Sequence, residues 1–249
     1  MEKIKLVSIN IELDKHLDLV REFLKKEQPD VVCMQEVYKQ DLQDFGERLA
    51  MQAVFGHMSN IGHIDYNKAP RDPYGVGILS ALPVQKAWVE YYAGGAKEAK
   101  TRIFQENSRN DPHPLMLVTV QKGNVSLTFG TTHFTWTPDG NPDDLQRRDL
   151  KNLLGILTEI SEIILCGDFN APRGREVFDI LAKLYKDNIP LSYTTSIDAN
   201  LHRDKENMCG KPLMVDGLFT TPEYQCSNVR LQNGVSDHMA IVAEISKSG

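Results

Sequence analysis

The chain has 249 residues, of which 41% are hydrophobic and 25% are charged, and its formal net charge is −6. This composition is typical of a soluble globular protein with a large core, and the acidic balance argues against a nucleic-acid-binding surface made by bulk positive charge. Because no run of about 18 apolar residues occurs, we expect no transmembrane helix.

The first part of the chain shows strands that alternate with helices. The predicted order of strand, helix, strand and helix covers residues 4–10, 14–27, 31–35 and 39–50. Asp14 is expected to cap the first helix, in which Leu17, Val20 and Leu24 recur at helical spacing. Residues 55–74 are polar and rich in His, Asn and Pro, and they are predicted to form an exposed loop.

The rest of the chain is richer in strands. Predicted strands cover residues 75–80, 84–92, 115–121, 125–132, 163–166, 214–220, 226–231 and 239–245. Helices are predicted over residues 142–159 and 174–184, residues 93–100 look mobile, and residues 187–212 are expected to be mostly loop. This mixture of hairpins and strand–helix units favours two mixed sheets packed face to face, with helices outside. We expect residues 1–249 to form a single domain of the α/β or α+β class.

Cysteine usage and the N-terminal residues bear on the cellular compartment. The N-terminus enters a predicted strand directly, so we expect no signal peptide. No CxxC pair occurs, which argues against a zinc or thioredoxin-type site. Cys33 and Cys166 lie in apolar segments, where a free thiol packs as a small hydrophobic group. We therefore expect four reduced thiols in a cytoplasmic protein, with Cys209 the most exposed.

Polar side chains stand at the mouths of four predicted apolar strands. The four groups are Asn10, Gln35-Glu36, Gly167-Asp168-Phe169-Asn170 and Ser236-Asp237-His238. The first three follow apolar segments, and the fourth precedes an apolar run that begins at Met239. Acid, amide and imidazole groups at strand mouths are the components of a metal-assisted site on a β scaffold.

The chemistry that fits these groups is phosphoester hydrolysis. At neutral pH this reaction needs a divalent cation that neutralises the phosphate, a base that activates water, and a group that stabilises the transition state. Mg²⁺ prefers carboxylates, amide oxygens and water as ligands. The candidate protein ligands for Mg²⁺ are Glu36, Asn10, Glu12 and Asp237.

Candidate catalytic groups occur beside these ligands. Asp168 is a candidate for the group that activates water, and Asn170 is expected to point to the same side of an extended turn. His238 can carry a charge or a proton near pH 7, and the carboxylate of Asp216 in a buried strand can fix its tautomer. His133 ends another apolar strand and is either a phosphate contact, an acid or a core histidine.

The order of these motifs resembles that of the endonuclease/exonuclease/phosphatase superfamily, and the resemblance extends from residue 4 to residue 245. The matching elements are Asn10, Gln35-Glu36, Thr132-His133-Phe134, Gly167-Asp168-Phe169-Asn170, Asp216 and Ser236-Asp237-His238. The resemblance implies a four-layer α/β sandwich of the DNase I type, dependence on Mg²⁺ or Mn²⁺, and phosphoester hydrolysis without a covalent intermediate.

The resemblance also implies roles for single residues. The main metal ligand would be Glu36, and its assistants would be Asn10, Glu12 and Asp237. The nucleophile and the phosphate would be positioned by Asp168 and Asn170, and Asp216 would orient His238.

Subfamily features are mixed in this chain. Val235 stands where apurinic/apyrimidinic endonucleases usually have an aromatic residue, and Asp216 lies in neither their Leu-Asp-Tyr element nor the Cys-Asp-Arg sequence of inositol phosphatases. Asn10-Ile11-Glu12 resembles the opening of tyrosyl-DNA phosphodiesterases, but His133-Phe134-Thr135-Trp136 replaces their His-Leu-Glu-Ser element. The chain therefore matches no subfamily in full.

Other polar and aromatic residues are weighed against ordinary structural roles. Trp136 can stack on a base or another flat substrate group, although loop packing is the commoner reason for such a side chain. Arg102, Arg109 and Arg173 are candidate phosphate contacts, although exposed arginines are usually just solvated. The remaining histidines are expected at the surface or in loops: His16, His57, His63, His113 and His202.

Three functions are compatible with the sequence. The leading hypothesis is a Mg²⁺-dependent phosphodiesterase whose partner is nucleic acid or a nucleic-acid adduct, as in DNA nucleases or 5′-tyrosyl-DNA phosphodiesterases. The second is a phosphatase or phosphodiesterase for a small or lipid phosphate, as in sphingomyelinases or inositol phosphatases, and the acidic charge favours it. The third is a non-catalytic binding protein on the same fold, which the charges expected at one pocket disfavour.

Overall fold

The computed structural model describes residues 2–62, 73–99, 101–103 and 108–248. The strands in these ranges are β1 (Ile4–Asn10), β2 (Val31–Tyr38), β3 (Gln52–Gly62), β4 (Pro73–Ser80), β5 (Val84–Ala93), β6 (Thr101–Ile103), β7 (His113–Lys122), β8 (Val125–His133), β9 (Ile164–Asp168), β10 (Lys186–Asp187), β11 (Asp216–Thr220), β12 (Tyr224–Gln232) and β13 (Ala240–Lys247). The α-helices are α1 (Leu17–Glu27), α2 (Lys39–Leu49), α3 (Asp144–Thr158), α4 (Glu176–Leu184) and α5 (Lys205–Met208).

The strands form two mixed sheets. The first has seven strands in the order β12-β13-β1-β2-β4-β3-β6, and the second has six in the order β10-β11-β9-β8-β7-β5. Each sheet contains a central parallel pair, β1 with β2 and β8 with β9, among antiparallel neighbours. The carboxyl ends of the strands in each parallel pair therefore meet at one edge of their sheet.

Both faces of β2 and β9 are buried at their starts, which explains why residues 31–34 and 164–166 read as continuous apolar runs. In β2, Val31 and Cys33 pack into the core between the two sheets, whereas Val32 and Met34 pack toward the cluster that includes Val20 and Leu24 of α1. Alternate residues of a strand point to opposite faces, so this short segment contributes side chains to two separate hydrophobic clusters. The second sheet is covered in the same way by α3 and α4. The predicted sandwich of two mixed sheets flanked by helices is confirmed.

The first helix begins later than the sequence predicted. It starts at Leu17 with His16 at the N-cap, and Asp14 does not cap it. After β1 ends, the backbone remains bonded to the neighbouring strand, because Leu13 N donates to the Glu36 carbonyl at 2.9 Å. Glu12 and Leu13 have left-handed φ values of 49° and 62°, which delays the helix by three residues relative to Asp14.

The predicted loop over residues 55–74 is wrong in its described parts. Residues 55–62 belong to β3 and residues 73–74 to β4, whereas residues 63–72 lie outside the described ranges. Polar side chains are tolerated in β3 because it is bonded along its length to β4 on one side and only to the short β6 on the other. Backbone pairing with a neighbour does not depend on side-chain polarity.

The remaining predicted helices and strands are present with boundaries shifted by a few residues. Segment 93–100 ends β5 and then forms a 3-10 turn over Ala96–Glu98, and segment 187–212 is mostly irregular apart from the one-turn helix α5. The four cysteines are free thiols, and Cys209 is exposed as predicted. None of the described helices combines the length and apolarity needed to span a bilayer.

Candidate active site

The two parallel strand pairs bring the predicted site residues to one edge of the sandwich. In the first sheet Asn10 lies opposite Gln35, and in the second His133 lies opposite Asp168. Asp168 in turn faces Asp216 across the antiparallel β9–β11 pair. A hydrogen bond of 3.1 Å from Asn10 Nδ2 to Asp168 Oδ2 joins the two sheets at this point.

A bulge within β2 and the turn after β9 set the directions of two side chains of the cluster. Glu36 has a left-handed φ of 51°, and it lies at a register shift between β2 and β4. Such a bulge re-aims the side chains on either side of it. Asn170 is also left-handed, with a φ of 49°, so the predicted extended turn is wrong. The reason is that the Asn170 backbone N–H turns back to donate to Asp168 Oδ1 at 2.8 Å.

Asp168 lies at the centre of the cluster. Its Oδ1 accepts from Asn170 N and its Oδ2 accepts from Asn10 Nδ2, so the carboxylate is fixed from both sides. His133 Nε2 is 3.5 Å and His238 Nε2 is 3.8 Å from Asp168 Oδ2. Two imidazole rings therefore lie in fixed positions near this buried carboxylate, an arrangement that suits proton transfer by a general base.

His238 and Asp216 form a buried hydrogen-bonded pair. His238 Nδ1 lies 2.7 Å from Asp216 Oδ2. Burial opposes the imidazolium charge, but the negative charges of Asp216 and Asp168 outweigh it and hold the pKa of His238 well above its usual value. Burial raises the pKa of Asp216, while the charge of His238 lowers it. The Nε2–H of a protonated His238 is therefore available on the side of Asp168.

A short segment fixes both members of this pair. Ser196 Oγ accepts from the backbone N–H groups of Val215 and Asp216, at 3.1 Å each. The neighbouring Ile197 forms a β-bridge with His238. This segment lies in the predicted loop 187–212, whose sequence gave no sign of such a role.

Three carboxylates crowd the other side of the cluster. Burial and, to a smaller extent, the negative charges of Glu12 and Glu36 raise the pKa of Asp237 to about 7, although the charge of His238 opposes this rise. Asn10 Oδ1 lies beside them and accepts from the Glu12 backbone N–H at 3.1 Å. A divalent cation would offset this excess negative charge, and the oxygen donors suit Mg²⁺ or Mn²⁺. The residues present therefore fit the divalent cation on which the family generally depends.

His16 belongs to this cluster, a contact that the sequence did not predict. Its Nε2 lies 3.1 Å from Glu12 Oε2, and one donor atom each from Glu12, His16 and Asp237 all lie within 4.8 Å of one another. The spacing of four residues between Glu12 and His16 is the signal that could have revealed the contact. The other oxygen of Glu12 pairs with Lys15.

One further histidine, His113, differs from its predicted position at the surface or in a loop. His113 is only 1% exposed, and its Nδ1 lies 3.0 Å from the His133 carbonyl. Burial lowers the pKa of His113 to about 4, so its ring is neutral at pH 7. His202 lies close enough to His238 that the positive charge of His238 adds to burial in lowering its pKa. His63 lies outside the described residues.

His133 is buried beside the cluster and is held by a hydrogen bond to Tyr74. Its Nδ1 lies 3.2 Å from the Tyr74 hydroxyl, and its Nε2 lies 3.6 Å from Glu36 Oε1. Trp136, three residues further on, is 40% exposed. The residue before it is anchored to α3 because Thr135 Oγ1 donates to Asp149 Oδ2 at 2.6 Å. This hydrogen bond therefore fixes the position of the loop that carries the exposed indole ring.

The arginines considered as phosphate contacts are engaged elsewhere. Arg173 forms an ion pair of 2.8 Å with Asp187 and donates to the Ile189 carbonyl at 3.0 Å. Arg109 pairs with Asp143. These two arginines therefore hold loops together, and the side chain of Arg102 lies outside the described part of the chain.

Comparison with known proteins agrees with this geometry. No curated protein matches the chain in sequence. Among solved structures, an endonuclease/exonuclease/phosphatase from Bacteroides vulgatus superposes with a TM-score of 0.72 at 16% identity, covering 100% of both chains. D. rerio TDP2 complexed with single strand DNA product gives 0.69 at 15% identity, covering 99% of this chain and 100% of that one.

A Bacteroides thetaiotaomicron mannosyl-6-phosphatase gives a TM-score of 0.67 at 11% identity, covering 99% of this chain and 100% of that one. These likenesses establish the fold. The family model for the Endonuclease/Exonuclease/phosphatase family matches residues 7–238, a span that begins within β1 and ends at the last residue of the cluster. With the two-sheet fold and this match over most of its length, the chain belongs to the endonuclease/exonuclease/phosphatase family.

Proposed function

We propose that the protein is a divalent-cation-dependent phosphodiesterase that hydrolyses phosphoester bonds in nucleic acid or in a nucleic-acid adduct. The observation that carries this proposal is the meeting of Asp168 with the His238–Asp216 pair on one side and an acidic cluster on the other. The family acts on phosphoesters, and one structural neighbour holds a single strand DNA product. The exposed Trp136 at the rim suits stacking on a base.

The acidic side of the site would hold the cation. Glu36, Glu12, Asp237 and Asn10 are the proposed ligands of Mg²⁺ or Mn²⁺, and Asn10 Oδ1 has a second lone pair left after it accepts from Glu12 N. When bound, the cation would supply positive charge that offsets the charge of the phosphate and of the transition state.

The other side of the site would handle water and protons. Asp168, fixed by Asn10 and Asn170, is the proposed group that orients and deprotonates the attacking water. His238, held in its protonated form by Asp216, would donate Nε2–H to a phosphate oxygen as negative charge develops there. His133 Nε2 and the side chain of Asn170 are proposed as further substrate contacts.

The proposed site takes residues from Asn10 to His238 and from both sheets. We therefore propose that residues 1–249 act as one catalytic domain.

The test is cleavage of a mixed panel by wild type, Asp168→Asn and His238→Gln, with and without Mg²⁺ or Mn²⁺. The panel contains single-stranded DNA, RNA, 5′-tyrosyl DNA, sphingomyelin, an inositol phosphate and mannose 6-phosphate. We expect cation-dependent cleavage of a polynucleotide substrate, and a loss of about 10²- to 10⁴-fold in kcat for either variant. Asp144→Asn is the matched control, because its carboxylate is fully exposed on α3.

Cleavage of no substrate by a correctly folded, cation-loaded protein would contradict the proposal. A second candidate function, hydrolysis of a small phosphate ester, is favoured by the net charge of −6 and by the engagement of Arg109 and Arg173 in ion pairs. Likeness to a mannosyl-6-phosphatase points the same way. Turnover of a small phosphate with every polynucleotide left intact would select that candidate.

A further inference from the structure

His16 is placed to do more than cap a helix. It is the residue before α1, its side chain is 13% exposed, and its Nε2 faces Glu12 Oε2 at 3.1 Å. The left-handed turn at Glu12 and Leu13 folds the chain back so that the imidazole lies over the carboxylate. The ring therefore points toward the acidic side of the site.

The spacing of the donor atoms suits a single ion. One oxygen from Glu12, one from Asp237 and one nitrogen from His16 lie within 4.8 Å of one another. Donor atoms held at about 2.0–2.2 Å from one ion are separated from each other by roughly 3–4.4 Å. The 4.8 Å limit on the observed separations exceeds the upper end of this range by about 0.4 Å. Small movements of the three side chains are therefore enough for them to share one cation.

Asp237 provides an independent sign that a cation belongs there. It is 6% exposed, and it forms no ion pair with a Lys, Arg or His among the described residues. Its one side-chain hydrogen bond in the described chain is accepted from Ser236 Oγ at 3.2 Å. Buried carboxylates are normally paired with a cationic group or coordinate a metal. The charge of His238, which is already paired with Asp216, offsets that of Asp237 only in part.

We propose that His16 is a nitrogen ligand of the divalent cation held by Glu12 and Asp237, and that this nitrogen makes the site select Mn²⁺ over Mg²⁺. The inference rests on the cation dependence in the proposed function and adds the identity of the preferred ion. Carboxylate, carbonyl and water ligands suit both Mg²⁺ and Mn²⁺, whereas an imidazole nitrogen is a poor ligand for the hard Mg²⁺ and binds first-row transition ions such as Mn²⁺ more readily. A site of oxygens alone would therefore show a smaller preference for Mn²⁺.

Direct observation of the bound ion tests the proposal. The full-length protein is loaded with Mn²⁺ and studied by pulsed electron paramagnetic resonance, in which a coordinated imidazole gives a ¹⁴N modulation. Titration calorimetry then gives the ratio of the Mg²⁺ and Mn²⁺ dissociation constants. We expect the ¹⁴N modulation in wild type, its loss in His16→Gln, and a fall in the Mn²⁺ preference of about tenfold or more.

His57→Gln is the matched control, because His57 is a partly exposed histidine on β3 that hydrogen bonds to Asn60 at 3.2 Å. We expect that variant to keep both signals, and circular dichroism establishes that each variant is folded. An unchanged ¹⁴N modulation and an unchanged ratio in folded His16→Gln would overturn the proposal, as would failure of wild type to bind Mn²⁺.

These measurements use no substrate, so they separate two failures. If His16→Gln alters the ion preference but no phosphoester is cleaved, the inference about His16 stands and the proposed function fails. If phosphoesters are cleaved and His16→Gln keeps the wild-type ¹⁴N modulation and ratio, the proposed function stands and the inference about His16 fails.

Discussion

At the scale of single residues, Asp216 shows how a neighbouring carboxylate raises the pKa of a buried histidine, His238. The raised pKa of His238 depends on the negative charges of Asp216 and Asp168, which outweigh burial. A histidine with a raised pKa stays protonated until the pH rises through that value. If the protonated form donates to the phosphate, activity is present at lower pH and is lost as the pH rises through the pKa of His238 in the folded protein.

Asp216→Asn is expected to lower the pKa of His238 and to shift the alkaline limb of the kcat profile to lower pH. The asparagine keeps the size of the side chain but removes the negative charge. NMR titration of the His238 ring in metal-free protein measures the pKa, and kinetics measure the limb. If the pKa of His238 is the same in both proteins, Asp216 does not control the charge of this histidine.

Lys15 supplies a second prediction at this scale. Its ammonium pairs with Glu12, one of the proposed cation ligands. Like charges repel, so this ammonium opposes the binding of a divalent cation nearby. Lys15→Met is expected to tighten Mn²⁺ binding severalfold in calorimetry at low salt, and the difference is expected to shrink at high salt. Weaker binding in the variant would show that Lys15 supports the cation instead.

The chemical identity of most site residues could be predicted from the sequence, since Asn10, Glu36, Asp168 and His238 each follow or precede an apolar strand. Their meeting is seen in the structure because parallel pairing places the strand ends together. His16 could not be predicted from strand ends. Its contact with Glu12 depends on a left-handed turn at Glu12 and Leu13, and neither residue is a Gly or an Asn, which are the types that commonly mark such a turn.

At the scale of elements, β8 and β9 depend on a close backbone approach at Gly167. This glycine has a φ of 149°, and a Cβ built on it would lie 2.1 Å from the Thr132 carbonyl oxygen. Any side chain would push the two parallel strands apart next to Asp168. By contrast, a Cβ built on Gly155 in α3 meets no atom within 4 Å.

Gly167→Ala and Gly155→Ala are therefore expected to change stability in opposite directions. The first is expected to lower the free energy of unfolding by about 2 kcal/mol or more, because the strands must separate or the backbone must strain. The second is expected to raise it by about 0.5–1 kcal/mol, because alanine is the better helix former. Urea unfolding of both variants measures these changes, and equal effects would contradict this account of Gly167.

Elements were predicted well where periodicity or an apolar run marks them, as in α2 and β9. They were predicted poorly where pairing overrides composition, as in β3, whose polar residues 55–62 are held in the sheet by β4. The start of α1 was misplaced because the hydrogen bond from Leu13 to Glu36 holds the preceding segment against β2. Such long-range bonds leave no local trace in a sequence.

At the scale of the whole molecule, the buried His113 links stability to pH. Burial lowers its pKa to about 4 from the usual value of 6.5, so between these values the unfolded chain binds a proton that the folded chain does not. Stability therefore falls as the pH falls from 6.5 toward 4, and this histidine adds no pH dependence above that range.

His113→Phe is expected to lose this part of the acid sensitivity. The variant loses a hydrogen bond to the His133 carbonyl, so we expect a slightly lower stability than wild type at pH 7. Between pH 7 and pH 5 its free energy of unfolding is expected to fall by about 2 kcal/mol less than that of wild type. Urea unfolding at both pH values gives the difference, and parallel losses in the two proteins would show that His113 does not titrate on unfolding.

The pairing of β1 with β13 has a consequence for how each copy of the protein is made. Ile4 lies opposite Ile245, so the first strand cannot complete its place in the sheet until the last one has left the ribosome. At ordinary rates of translation this is a wait of roughly 10–50 s. During that time Asn10 has no Asp237 or His238 beside it, and the growing chain is expected to hold no complete cluster. A nascent chain is thus expected to lack the proposed hydrolytic activity until β13 has emerged and paired with β1.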